Sequence, residues 1–367
     1  MAFGTRDFRY RKSAGGLLVL LLALAPRFAS AVCECGYVVN NTDQGPDPWL
    51  FTESIESNFK QVKNIATNSD WQREQFNVSA EAGRGPYGRS FLPGNIDIIS
   101  AAKASANGGS SNAGLEMRVG GNLVNDAVTT AEIDTARHDL FYGSYRAGMK
   151  MTDVNGTCAA FFWYFNDTQE IDMEFLSRQF DRENNIYPVN LVIQSRASAE
   201  AGFDAAGTDT FKQVNLTFDP SADFHEYRFD FFENRVFFYA DSQLLAAMNG
   251  SAIPTTAGHL ILQHWSNGNA LWSGGPPTED AFLSVSYVKA YFNSTDPKRQ
   301  ADYAKRCGSF KGTGDGKCLV QDVLSTNASS GGEFLGGDDS HSGALRTDLK
   351  WPTIVTFLSL ALAFGML

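Results

Sequence analysis

Three acidic residues alternate with large apolar residues in Glu170–Phe175, which reads Glu-Ile-Asp-Met-Glu-Phe. On a β-strand successive side chains point to opposite faces, so this order predicts a strand with one side on a core and all three carboxyl groups on the other. Like charges on one face repel one another and resist desolvation, which a purely structural strand would avoid. The pattern therefore predicts a β fold and a site of carboxylate chemistry, with a solvated outer strand face as the alternative.

A pair of carboxyl groups is the machinery of glycoside hydrolysis, in which one attacks the anomeric carbon and the other protonates the leaving oxygen. Retaining enzymes hold this pair about 5–5.5 Å apart. On an ideal strand the Cα atoms of Glu170 and Glu174 lie roughly 13 Å apart, so both side chains must lean inward over a curved sheet. We expect Asp172 to hydrogen-bond the nucleophile, and the crowding of negative charge to keep a proton on the second glutamate.

The run Glu-Ile-Asp-Met-Glu resembles the active-site strand of the family-16 glycoside hydrolases, the β-glucanase and transglycosylase group. By this resemblance Glu170 is the nucleophile, Asp172 the assisting residue and Glu174 the general acid/base. The uninterrupted spacing resembles the lichenase, plant xyloglucan transglycosylase and fungal chitin-glucan transglycosylase branches, whereas typical laminarinases carry one extra residue. The resemblance implies a concanavalin-like jelly-roll sandwich of two antiparallel sheets with a concave substrate cleft.

Further segments resemble the same family in the same order, so that the resemblance covers roughly Thr52 to Phe292. Tyr142–Lys150 resembles the strand that leads toward the catalytic one, although many members have an acidic residue where Arg146 stands. Pro188–Gln194 resembles the strand that follows, and Gln263–Gly275 resembles the aromatic loop on the acceptor side. The candidate sugar-binding residues from these segments and from Phe161–Phe165 are Trp163, Asn190, His264, Trp265, Asn267 and Trp272.

The surroundings of these candidates point to sugar binding to different degrees. Trp265 and Trp272 lie among Ser, Asn and Gly, the mixture expected where exposed rings stack on sugars and amides bond hydroxyl groups. For Trp163, core packing and sugar stacking are equal alternatives, because aromatic residues on strands are more often in the core. His264 either polarises a sugar hydroxyl or is a hydrogen-bonded structural group.

Short alternating or continuously apolar runs typical of strands recur along the chain, as in Leu140–Met151, Glu226–Phe232 and Phe282–Phe292. Turn-forming residues separate them, and no long stretch has the 3.6-residue period of an amphipathic helix. Together with 34 glycines and 43% hydrophobic residues, this predicts an all-β, antiparallel two-sheet sandwich. The net charge of -11 argues against nucleic acid as a partner. We expect a monomer that binds β-glucan polysaccharide.

The two ends of the chain carry patterns typical of secretion and membrane attachment. Basic residues precede the apolar run Leu17–Ala25, and Ala29-Ser30-Ala31 offers a cleavage site, which predicts a signal peptide over residues 1–31. The uncharged tail Trp351–Leu367 follows a small-residue cluster and is shorter than the roughly 20 residues of a spanning helix. This predicts a GPI-anchor propeptide over residues 343–367, with attachment at Ser340. The protein is therefore expected to be secreted and lipid-anchored at the cell surface or cell wall, and the resemblance favours a fungal member.

Between these ends the sequence predicts three regions. We expect a catalytic sandwich over residues 32–300, a cysteine-containing extension over residues 301–324, and a flexible Ser/Gly/Asp-rich linker over residues 325–342. Eight Asn-x-Ser/Thr sequons fit a secretory route: Asn40, Asn77, Asn155, Asn166, Asn215, Asn249, Asn293 and Asn327.

Five cysteines in an oxidising compartment leave one without a partner in the chain. Cys307 and Cys318 flank a short loop and are predicted to pair, while Cys158 is predicted to bridge either Cys33 or Cys35. A zinc site is a weak alternative, because the Cys-x-Cys spacing is wrong and no histidine pair accompanies it. No cofactor is predicted: a structural calcium ion occurs in some relatives, but no dedicated loop of oxygen ligands supports one here.

Overall fold

The computed structural model of the chain describes residue 1 and residues 33–40, 49–106, 113–203, 205–308 and 316–336. The chain divides into residues 1–31 and residues 32–367, and the features below belong to the second unit. The predicted signal peptide, the attachment residue Ser340 and the propeptide over residues 343–367 lie outside the described residues. In the described part of the chain, no helix is long and apolar enough to cross a membrane.

The described residues are mostly β-strand, with three short helices. The first strands are β1 (Tyr37–Val39), β2 (Trp49–Phe51), β3 (Glu53–Asn58), β4 (Trp71–Arg73), β5 (Phe76–Val78), β6 (Gly88–Phe91), β7 (Ile96–Ile99), β8 (Gly114–Val119), β9 (Leu123–Val124), β10 (Ala127–Thr135) and β11 (Leu140–Lys150). The later strands are β12 (Cys158–Asn166), β13 (Gln169–Leu176), β14 (Pro188–Gln194), β15 (Phe211–Asn215), β16 (His225–Phe232), β17 (Arg235–Ala240), β18 (Gln243–Asn249), β19 (His259–Trp265), β20 (Ala281–Ser294) and β21 (Cys318–Val320). The helices are α1 (Ala101–Ala106), α2 (Arg196–Glu200) and α3 (Pro297–Cys307).

Two large sheets account for most of these strands. A ten-stranded sheet has the order β15-β14-β13-β12-β19-β10-β6-β5, with β4 and β9 also paired to β10. An eight-stranded sheet has the order β18-β17-β16-β11-β20-β8-β7, with β3 paired to β20. Within these two sheets the paired strands are antiparallel, except that β6 and β10 are parallel. The predicted all-β, two-sheet architecture is confirmed.

The core is built from the alternate residues of these strands. Ile171, Met173 and Phe175 of β13 are buried in it, as are Tyr227 and Phe229 of β16. Since neighbours on a strand face opposite ways, Glu170, Asp172 and Glu174 must lie on the other side of β13. We call this side of the ten-stranded sheet the acid face. The hairpin turn before β13 is held by Asn166, whose side-chain oxygen accepts a hydrogen bond from the Thr168 amide at 3.0 Å.

The outer side of the eight-stranded sheet carries buried cations. Arg146 of β11 lies directly between Arg228 of β16 and Lys289 of β20, and each is at most 3% exposed. The three-stranded sheet β2-β1-β21 packs on this side through an aromatic cluster that includes Tyr291 and Phe232. We call this side the covered face. Arg146, which the resemblance placed near the catalytic strand, therefore lies on the covered face.

Residues 321–336 continue the cover beyond β21. The Lys289 ammonium group donates to the carbonyl oxygens of Gly331, at 2.6 Å, and Glu333. The carboxylate of Glu56 accepts a hydrogen bond from the Gly336 amide at 2.7 Å, and Ala328 is fully buried. The prediction of a flexible linker over residues 325–342 is therefore wrong for residues 325–336, because the buried Lys289 binds two carbonyl groups of this segment.

The disulfides differ from the predicted pairing. Cys33 pairs with Cys318 and Cys35 pairs with Cys307, whereas Cys158 is free and buried. The predicted Cys307–Cys318 bridge and the predicted bridge from Cys158 to the N-terminal pair are both wrong. The reason is topological: β1 runs parallel to β21, with Tyr37 opposite Cys318, which brings the residues before β1 to the start of β21.

Candidate active site

The acid face is organised by the register of β13 with its two neighbours. Each acid lies between one residue of β12 and one residue of β14 that share its face. These neighbours are Tyr164 and Gln194 beside Glu170, Phe162 and Val192 beside Asp172, and Ala160 and Asn190 beside Glu174. Asp172 is thus flanked by two apolar side chains and is only 4% exposed, while Glu170 and Glu174 are partly exposed.

Burial raises the pKa of all three acids. Desolvation raises the pKa of Glu170 to about 7, and the charge of Glu174 adds to this. The pKa of Asp172 lies well above its usual range because of burial and then the charge of Glu170. Asp172 and Glu170 share a hydrogen bond, which opposes the rise at Glu170 and adds to it at Asp172. In this hydrogen bond a protonated Asp172 donates to Glu170.

Glu174 has partners of its own. Its Oε1 accepts hydrogen bonds from the indole Nε1 of Trp272 at 3.3 Å and from the Cys158 thiol, whose Sγ lies at 3.3 Å. Burial raises the pKa of Glu174, whereas these two donors and the positive charges of Arg89 and Arg84 lower it. The site thus contains one carboxyl pair that shares a hydrogen bond and a third carboxyl held separately, an arrangement that supplies both a nucleophile and a proton donor.

Trp163 and His264 lie on the core side of their strands. Trp163 is fully buried and its Nε1 donates to the Leu140 carbonyl oxygen at 3.1 Å. His264 is also fully buried, with Nδ1 2.8 Å from the Met117 carbonyl oxygen, and desolvation lowers its pKa to about 4. Of the alternatives left open for these two residues, core packing holds for Trp163 and a hydrogen-bonded structural role holds for His264, while sugar contact is contradicted. The alternation that points Glu170 outward points these two side chains inward.

Asn190 and Asn267 are near the acids but closed to a ligand. Asn190 is fully buried beside Glu174, donates to Gln179 at 2.9 Å and accepts from Gln213 at 2.9 Å. Asn267 is 1% exposed and donates to the Gly83 carbonyl oxygen at 2.6 Å. Direct sugar contact by either residue is therefore contradicted. Their amides hold strands and loops around the acid face instead.

Trp265 and Trp272 do lie at the acid face. Trp265 belongs to β19 and packs with Phe91, Cys158 and Trp272, while the Arg89 guanidinium lies 4.7 Å from its ring centre. Only 9% of Trp265 is exposed, whereas Trp272 is half-buried. Of the six candidate sugar-binding residues, these two tryptophans lie on the acid face with some exposure, and Trp272 contacts Glu174 directly.

A second acidic pair on the same face went unrecognised in the sequence. Glu132 and Asp134 of β10 lie opposite Gln263 and Ile261 of β19, which share the face of the catalytic acids. Desolvation raises the pKa of both carboxyls to about 8, and Asp134 adds to the rise at Glu132. The signal was present, because Glu132-Ile133-Asp134 repeats the first three residues of the catalytic run.

Within the described ranges, no group of three or more His, Cys, Asp and Glu side chains is arranged to hold a metal ion. The acids are neighboured by arginines, an indole, a thiol and amides.

Parts of the chain are similar to known proteins. Residues 100–282 match the family model of glycosyl hydrolases family 16. The beta-glucanase of Bacillus subtilis is 30% identical over 140 residues, which are 36% of this chain and 51% of that protein. The beta-glucanase of Bacillus licheniformis is 30% identical over 158 residues, 40% of this chain and 58% of that protein. A solved structure of Bacillus licheniformis beta-glucanase covers 65% of this chain and 97% of its own, with a TM-score of 0.49 and 20% identity.

The chain spans only 51% to 58% of the length of these two curated relatives. The matched residues 100–282, which include all three acids of β13, are similar to the glycosyl hydrolases family 16.

Proposed function

We propose that the protein is a retaining enzyme that cleaves or re-joins β-linked glucan through a covalent intermediate on Glu170. The observation that carries this proposal is that the two glutamates of the acid face have different hydrogen-bond partners. Glu170 shares a hydrogen bond with Asp172, whereas Glu174 accepts hydrogen bonds from Trp272 and Cys158. One group is thus suited to attack carbon and the other to move a proton.

The reaction balances with these residues. The Glu170 carboxylate forms a bond to the anomeric carbon as the bond from that carbon to the leaving oxygen breaks. The electron pair stays on the leaving oxygen, which takes the proton of Glu174. Water or a sugar hydroxyl then attacks the anomeric carbon, Glu174 takes its proton, and Glu170 is released as a carboxylate. Two displacements at one carbon retain its configuration.

A neutral glucan is the substrate class that the site favours. The relatives at 30% identity are named beta-glucanases. The net charge of -11 disfavours polyanionic chains. Trp272 beside Glu174 offers a ring surface where a departing or accepting sugar would lie, so the choice between hydrolysis and transfer depends on how well this region holds an acceptor.

The test replaces each glutamate in turn. We expect Glu170→Gln and Glu174→Gln to lower kcat/KM on a panel of β-glucans by about 10²-fold or more, since each removes a nucleophile or a proton donor. Glu116→Gln is the matched control, because Glu116 is a partly exposed acid on β8 of the other sheet. A 2-deoxy-2-fluoroglycosyl fluoride should label the peptide that contains Glu170. Full activity in both variants would overturn the proposal.

The alternative is a carbohydrate-binding surface protein of the same fold without turnover. It would bind β-glucan and never be labelled by the fluorosugar. The hydrogen bonds from Trp272 and Cys158 to Glu174 favour the enzyme, because they orient a carboxyl group beside the Glu170–Asp172 pair. Labelled oligosaccharides with and without added acceptor then separate hydrolysis from transfer.

We also propose that the protein is secreted and lipid-anchored at the cell surface, and that it acts as a monomer. The two disulfides support an oxidising compartment. The apolar runs Leu17–Ala25 and Trp351–Leu367 supply the signal patterns. Release of the active protein from intact cells by a phosphatidylinositol-specific phospholipase is the expected result. Recovery of all activity in the cytosolic fraction would contradict the proposal.

A further inference from the structure

Cys158 has no place in the reaction as written. It is the one cysteine of the five that forms no disulfide, and it is fully buried. It begins β12 and lies directly opposite Leu176 of β13 and Trp265 of β19, on the acid face. Because this thiol forms no disulfide, its contact with Glu174 is the interaction to be explained.

The thiol acts as a hydrogen-bond donor. Burial, and then the charge of Glu174, raise the pKa of Cys158 well above its usual range, so the sulfur keeps its proton. Two acceptors are within reach: Glu174 Oε1 at 3.3 Å and the Ala159 carbonyl oxygen at 3.9 Å. The shorter contact is the one to the charged group, which is also the better acceptor.

Two donors meet at one oxygen of Glu174. The thiol comes from β12 and the indole of Trp272 comes from the loop after β19, and both reach Oε1. Neither bond reaches Oε2. A carboxyl group whose Oε1 accepts two hydrogen bonds has its plane fixed and carries its proton on Oε2, because a proton on Oε1 would displace a donor.

We propose that Cys158 is a positioning residue which, together with Trp272, occupies Oε1 of Glu174 and makes Oε2 the oxygen that delivers the proton to the glycosidic oxygen. This inference rests on the proposed function, since it concerns the acid step of that reaction. It assigns Cys158 no bond to the sugar. The thiol acts only through the orientation and the ionisation of Glu174.

The test uses the dependence on the leaving group. Cys158→Ala should lower kcat/KM about tenfold on an unactivated β-glucan oligosaccharide, because a misplaced acid protonates the leaving oxygen poorly. On the 2,4-dinitrophenyl glycoside of the same sugar, which leaves without protonation, the loss should be less than about twofold. Since the thiol stabilises the carboxylate, its removal should also move the alkaline limb of the pH profile to higher pH. Cys158→Ser, which keeps a donor, should restore most of the activity.

Two further variants separate this role from packing. Cys158→Val fills the space without a donor and should behave like Cys158→Ala. Val189→Ala, a buried truncation on the core side of β14, should lower the melting temperature without changing the ratio of the two substrates. An equal loss on both substrates in the Cys158 variants would overturn the positioning role. A parent protein inactive on every glycoside would instead overturn the proposed function.

Discussion

The acid face and the covered face both bury rows of ionisable side chains. Those of the covered face are paired with opposite charges, whereas most of those on the acid face are not. On the covered face Arg228 is paired with Asp230 at 2.5 Å and with Asp322 at 3.0 Å. Arg146 donates to the Gln321 carbonyl oxygen at 3.1 Å. On the acid face, within the described part of the chain, no arginine or lysine forms an ion pair with the five carboxyl groups of β13 and β10, and Asp134 has only His259 Nε2 at 3.5 Å.

The difference appears in the pKa shifts. Arg228 and the other cations hold the pKa of Asp230 below its usual range despite its burial. Burial without such pairing raises the pKa of Glu170 to about 7 and of Glu132 to about 8. Paired buried charges contribute to structure, whereas unpaired buried carboxyl groups keep their protons available for chemistry.

Removing a cation from the covered face should have the largest effect on stability. Arg146→Met leaves Glu226, whose carboxylate lies 3.8 Å from the guanidinium, buried without its nearest counter-charge. We expect a loss of about 3–5 kcal/mol in the free energy of unfolding, measured with urea at pH 7. Activity of the remaining folded protein should be unchanged, since this side chain is remote from the acid face.

The control for that prediction is Arg118→Met. Arg118 forms its ion pair with Asp280 at 2.9 Å, with both side chains about 40% exposed. We expect its loss to cost no more than about 1 kcal/mol. An equal cost for the two variants would contradict the idea that pairing on the covered face is what makes its buried charges structural.

A smaller effect should follow from the second acidic pair. The pKa of Glu132 and of Asp134 is about 8 in the folded protein, well above the ordinary value of either group. The folded state therefore holds protons that the unfolded state releases, so stability is lost as the pH rises from about 4 to about 8. Over this window the free energy of unfolding of the double variant Glu132→Gln and Asp134→Asn should fall by at least about 2 kcal/mol less than that of the parent.

Urea unfolding at several pH values between 4 and 9 measures this slope. The control is Asp280→Asn. The Asp280 carboxylate accepts a hydrogen bond from the Gly121 backbone amide, and this bond and the charge of Arg118 lower its pKa. Its replacement should leave the slope between pH 5 and 8 as it is in the parent. A double variant with the parent's slope would show that the pair on β10 does not carry the predicted protons.

The fold and the catalytic trio could be read from the sequence because both follow from alternation. In Glu170–Phe175 the apolar and acidic residues separate onto two faces whatever the rest of the chain does. The same rule could have excluded one error, since His264 and Trp265 are neighbours on one strand and only one of them can face the acids. It could also have found Glu132 and Asp134.

The remaining errors depended on contacts between distant parts of the chain. The pairing of Cys33 with Cys318 joins residues 285 positions apart, and only the parallel alignment of β1 with β21 reveals it. The polar composition of residues 325–336 predicted flexibility, because composition does not show that Lys289 lies beneath and binds their carbonyl groups. The contact of Cys158 with Glu174 needs the register of β12 on β13, which spacing alone does not supply.

The smallest change in stability, with a large change in activity, is expected for Asp172→Asn. Because Asp172 keeps its proton when folded and loses it when unfolded at neutral pH, an asparagine removes an ionisation that favours the unfolded chain. We expect urea unfolding to show a gain of up to about 1 kcal/mol at pH 7 and none at pH 3. The amide still donates to Glu170 but cannot exchange a proton with it, so kcat should fall about tenfold or more. A loss of stability at pH 7 together with normal kcat would mean that this carboxyl is a paired structural group, as on the covered face.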